Sequence, residues 1–124
     1  HGGGSRTVLS DKAQAARDVA KAHGGKALKG SAKQKEWAEA IRAEKLAQMT
    51  DDQAAMACDP KGLLTHRKFW IEHRKKTGSE IGHFVMLQKA LLKQAHSLKD
   101  KGMAVEYAEI ARQYNALTAQ WGWQ

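Results

Sequence analysis

The chain has 124 residues and 13.7 kDa, room for one ordinary domain with a proper apolar core and not for two. Hydrophobic residues make up 42% and charged residues 27%, which argues against wholesale disorder, and a single cysteine excludes both a disulfide framework and a multi-cysteine zinc site. Lys plus Arg is 21 against 13 Asp plus Glu, a formal charge of +8. That charge is segregated: 1–35 carries eight basic and two acidic side chains, 36–59 two and six, and 60–76 six and one. Two basic blocks flanking an acidic segment create local potentials that attract polyanions.

Residues 1–9 open on His-Gly-Gly-Gly-Ser and read as a flexible linker or expression scar. No apolar leader follows, and no apolar run approaches the length of a membrane span, so a cytoplasmic location without membrane contact is expected. The first helix is predicted at 10–23, capped by Ser10 and stopped by Gly24 and Gly25. Its apolar content is almost all alanine, which favours helix but buries little, and 24–30 reads as a mobile glycine-rich linker. Together 10–30 form an expected flexible basic arm ahead of a helical domain at 31–124.

The second helix starts at Ser31, where Gln34 three residues on completes a capping-box pattern. Trp37, Ala38, Ile41 and Met49 make its expected core stripe, with Glu36, Glu39 and Glu44 on the surface. Thr50 with Gln53 repeats the capping pattern before a short helix at 51–58, and Asp59-Pro60-Lys61-Gly62 closes it. Thr65 is the expected cap of a helix at 66–76. Helices at 79–101 and 103–120 follow, their apolar residues at three-four spacing and joined at Gly102 as a hairpin. No segment alternates with period two. The fold class is all-α, a compact bundle of about five helices with a C-terminal helical hairpin and the basic arm.

Nothing in the chain has the spacing that catalysis or metal binding requires. Cys58 sits at the end of a small apolar helix and reads as a buried thiol. His66 and His73 are seven apart, too far along a helix axis to share an ion by themselves, and no phosphate loop is present. No enzyme activity, cofactor or small-molecule substrate is expected.

The sharpest constellation is basic. Arg67, Lys68, Arg74, Lys75 and Lys76 surround Phe69 and Trp70, and Lys26, Lys29, Lys33 and Lys35 lie in and after the arm. Arginine grips phosphate bidentately, lysine follows a backbone as a point charge, and an aromatic side chain among such charges can stack on an exposed base. Phe69 and Trp70 themselves read as core, with the basic residues as rim. Trp123, after Gly122, reads as a cap on the bundle or as a knob for a protein partner.

Ser31-Ala32-Lys33-Gln34-Lys35-Glu36-Trp37-Ala38-Glu39-Ala40-Ile41-Arg42, followed by Trp70-Ile71-Glu72-His73-Arg74, resembles a pattern in small uncharacterised proteins of plasmids, phages and integrative elements. The resemblance covers some twenty residues in two helices. It implies a mobile-element setting and a role near nucleic-acid machinery, and it carries no site residue with it. The expected function is a small, basic, non-catalytic nucleic-acid-binding accessory protein, DNA and RNA not being distinguished. The alternative is a protein-binding inhibitor or subunit of a nucleic-acid-processing or defence complex, for which Glu36, Glu39, Glu44, Asp51 and Asp52 would form an acidic face.

Overall fold

The structure is a computed structural model that describes residues 11–60 and 64–122. These form six helices: α1 (Asp11–Ala22), α2 (Ala32–Leu46), α3 (Asp51–Ala57), α4 (Arg67–Glu72), α5 (Gly78–Asp100) and α6 (Ala104–Gln120). The chain is all-helical in its described residues, with six helices where about five were expected. It divides into two compact units, His1–Gly82 and His83–Gln124, the boundary falling inside α5.

In the first unit α1 packs on α2. Ala13, Ala16 and Ala20 form a three-four stripe and are all buried, so the small side chains that promise little burial let the two helices approach closely. A Schellman pair ends α1: Gly25 N donates to Ala20 O at 2.8 Å and Gly24 N to Lys21 O at 2.9 Å, with Gly24 at φ 86.

The segment that follows is docked, contrary to the mobile linker expected at 24–30. Leu28 is 1% exposed, and its amide donates to Glu39 Oε2 at 2.9 Å. Lys26 O accepts from Arg42 Nη2 at 2.9 Å, and Lys29 N donates to Thr65 O at 2.9 Å. A lone leucine among glycines and lysines becomes an anchor because α2 supplies polar partners for the backbone around it.

Those partners come from an unexpected face of α2. Ala38, Glu39, Arg42, Lys45 and Leu46 are buried, whereas Trp37 is 49% exposed. The buried stripe is thus rotated by about one residue from the apolar one. Glu39 and Arg42 form an ion pair of 2.5 Å inside the unit, and Arg17 of α1 approaches Glu39 Oε2 at 3.7 Å. Glu39 is therefore no part of an acidic surface.

Local caps agree with the sequence in part. Thr50 and Gln53 make both bonds of a capping box. Ser31 makes no such bond to the backbone; its hydroxyl meets Gln34 Oε1 at 3.4 Å instead. The cap of α4 is His66, whose Nδ1 accepts from Lys68 N at 3.1 Å, in place of Thr65. This helix also ends at Glu72, short of the expected 76. Thr77 and Glu80 then exchange bonds of 3.0 Å each and open α5. Phe69 and Trp70 are core as expected, their rings edge-on at 5.3 Å, with Trp70 Nε1 donating to Leu64 O at 3.1 Å.

The second unit is the hairpin that the sequence predicts. Met103 N donates to Leu98 O and Gly102 N to Lys99 O, both at 3.0 Å, a second Schellman turn with Gly102 at φ 70. Phe84 near one end of α5 stacks on Trp121 just past α6, centroids 4.4 Å apart, which sets the two helices antiparallel.

Glu39→Gln removes the negative partner of Arg42 and leaves a buried cation. Urea denaturation is expected to show a loss of about 3–5 kcal/mol, and a loss below about 1 kcal/mol would mean that the pair does not hold the unit together.

Candidate nucleic-acid interface

The two basic blocks meet through the backbone. Lys29 and His66 form a parallel bridge in which Lys29 N donates to Thr65 O and Lys29 O accepts from Arg67 N at 3.0 Å. A segment 37 residues earlier in the chain is thereby fixed at the start of α4, and the docking of Leu28 holds it there. Lys26 and Lys29 are exposed on this segment.

Gly30 follows the bridge at φ 131, and any side chain there would run into Arg67. Arg67 is half-buried and lies across Gly30, with its Nε buried and without a hydrogen-bond partner. Its aliphatic stem thus serves packing, while only part of the side chain faces solvent. Arg67 thus stands partly inside the basic rim expected along 67–76.

The remaining basic residues are spread over three elements. Lys33 and Lys35 occupy the first turn of α2, exposed and half-buried respectively. Lys68 is exposed and 4.0 Å from Glu72, an exposed pair that adds little to stability and leaves the charge accessible. Arg74 and Lys75 are exposed in the turn after α4, and Lys76 there is half-buried. Lys76 also lies near Glu80, whose carboxyl is held below its ordinary range first by the Thr77 backbone and hydroxyl bonds and then by the neighbouring lysines. Trp123 lies outside the described residues.

The aromatic residue among these charges is one the sequence reading assigned to the core. Trp37 is half exposed, and the Arg74 guanidinium sits 5.5 Å from its ring centroid. Arg74 Nη1 also donates to Ile71 O at 2.7 Å, which fixes it at the end of α4. Beside Trp37 runs an open groove of about 300 Å³ between α1 and α2, lined by Lys12, Ala13, Lys33, Glu36, Trp37 and Ala40. Lys12 and Trp37 are thus the residues that sequence reasoning missed. The available signal was the polar Glu39–Arg42 pair, which draws the buried face of α2 away from Trp37.

Cys58 is buried, and desolvation pushes its thiol above the ordinary value, with Arg42 partly opposing and Glu39 adding. Among the described residues no three His, Cys, Asp or Glu side chains are grouped to hold a metal ion, and no helix is long and apolar enough to cross a membrane. Neither a known protein family nor a curated protein matches this chain.

Two outcomes test this geometry. Gly30→Ala is expected to displace Arg67 and destabilise the protein by about 1–3 kcal/mol, read by urea denaturation, whereas Gly24→Asn, in the open turn after α1, leaves stability within about 1 kcal/mol. The raised Cys58 pKa favours the neutral thiol in the fold, so its stabilising effect is present below the unfolded pKa and fades as pH rises through the folded one. Alkylation by iodoacetamide at pH 8 is accordingly expected to run more slowly in the folded protein, where the thiol is buried, than in urea, and equal rates would contradict the burial.

Proposed function

We propose that this is a small, basic, helical accessory protein that binds nucleic acid without catalysis, in the cytoplasm and in the setting of a mobile genetic element. The observation that carries the reading is the Lys29–His66 bridge, which joins the two basic blocks of the chain within one unit. Lys26, Lys29, Lys33, Lys68, Arg74 and Lys75 then present exposed cations from four separate stretches of chain, an arrangement suited to following a phosphate backbone. Lys35, Arg67 and Lys76 are half-buried and add charge at the margin. The mobile-element setting rests on the resemblance of 31–42 and 70–74 described above.

A solvated basic surface with no ligand would look similar in charge but would not bind with a steep salt law. Fluorescence anisotropy on labelled DNA and RNA, single- and double-stranded, separates the two. Neutralising about six phosphates is expected to cost on the order of a thousandfold in affinity between 50 and 200 mM salt. The triple variant Lys29→Glu, Lys33→Glu, Lys75→Glu reverses three exposed charges and is expected to abolish binding with helicity unchanged by circular dichroism. Absence of binding by the native protein at 50 mM salt overturns the reading and turns the search to a protein partner.

A further inference from the structure

An indole that stays half exposed in a chain with a formed core needs a reason, because burying it would be favourable by itself. Trp37 has two unlike neighbours. The Arg74 guanidinium sits 5.5 Å from its ring centroid. The α1–α2 groove runs beside it with Lys12 and Lys33 on its walls, and Arg74 is not among the residues that line the groove. An exposed aromatic surface is thus bracketed by three cations drawn from α1, α2 and the turn after α4. Glu36 also lines the groove, so the lining is mixed in sign, and it engages other groups of the protein.

We propose that Trp37 is a stacking platform for an unpaired base, with Lys12, Lys33 and Arg74 holding the flanking phosphates, so that the preferred ligand of this protein is single-stranded nucleic acid. The inference deepens the proposed function and rests on it. A duplex hides its base faces in its own stack and cannot offer one to an indole without unstacking; a single strand offers a π-face at every nucleotide. Stacking of this kind tolerates any base, and the charges around Trp37 act on phosphate, so the site reads strandedness and not sequence. Arg74 has a second part in it: its bond to Ile71 O anchors the guanidinium, which then steadies the indole through the cation–π contact.

The test compares single strands with equal phosphate counts and sets beside them a duplex, which carries about twice as many. Labelled oligo(dT), oligo(rU), an abasic strand of the same length and a dA·dT duplex, each about fifteen nucleotides long to span a typical single-strand site, are titrated against the full chain at 50 mM salt. The native protein is expected to bind oligo(dT) or oligo(rU) about tenfold more tightly than the abasic strand, the size of one stacked base, and more tightly than the duplex. The two base-bearing arms show which sugar is accepted. Trp37→Ala is expected to bring the base-bearing strands down to the abasic affinity while leaving the abasic strand unchanged, and Trp37→Phe to restore most of the difference. Equal binding of base-bearing and abasic strands by the native protein overturns the stacking site and leaves the electrostatic reading standing. A Trp37→Ala protein that still prefers bases also overturns it, and so does a native protein that prefers the duplex. If no strand binds at all, the proposed function fails and this inference with it. The native-protein comparison decides the matter even where a variant folds poorly.

Discussion

The first unit depends on one buried carboxylate. Glu39 accepts from Leu28 N and from the Arg42 guanidinium, with Arg17 at 3.7 Å, while Arg42 in turn donates to Lys26 O. One acidic side chain thereby gathers α1, the segment after it and α2. A single carboxylate inside a protein is costly on its own, and a single arginine equally so; each is tolerable because the other is present and because Leu28 N and Lys26 O each supply one further hydrogen bond, while Arg42 Nε is buried without a partner. The pair adds less to net stability than its bond count suggests. A slipped α2 would keep this i,i+3 pair but take Glu39 away from Leu28 N and Arg42 away from Lys26 O.

From that constraint the basic surface follows. With Leu28 seated and Lys26 O held, the chain leaves the pair in a fixed direction and Lys29 forms its bridge with His66. Lysines that would sample a large volume on a mobile arm are instead held near α4, at the cost of some reach. A pre-ordered basic surface loses less entropy on binding a polyanion than a flexible arm does. The same pair turns the apolar edge of α2 outward, which leaves Trp37 half exposed beside Arg74. Core and candidate interface are two consequences of the same rotation of one helix.

The second unit is built on simpler terms. Its hairpin depends on a Schellman turn at Gly102 and on the Phe84–Trp121 stack, with no buried ion pair among its described residues. Glu109 and Arg112 pair on its surface at 2.5 Å, and the carboxyl is held below its usual range by that arginine; both are exposed, so the pair matters little to stability.

Much of the local structure was legible because it is decided locally. The Thr50–Gln53 capping box, the glycine stops at Gly24 and Gly102, the three-four stripes of α5 and α6 and the core positions of Phe69 and Trp70 each follow from side chains within a turn or two of one another. Helix propensity, capping and periodicity act at that range. The misreadings that shape the candidate interface turn on distant partners: Leu28 on Glu39, eleven residues away; Lys29 on Thr65 and Arg67; Trp37 on a buried face that α1 and Leu28 define. By itself the sequence determined an all-helical chain with two basic blocks. Only the tertiary structure decided that those blocks adjoin and that Trp37 stays half exposed beside Arg74, because burying Glu39 with Arg42 is favourable only once the segment carrying Leu28 is in place to satisfy it.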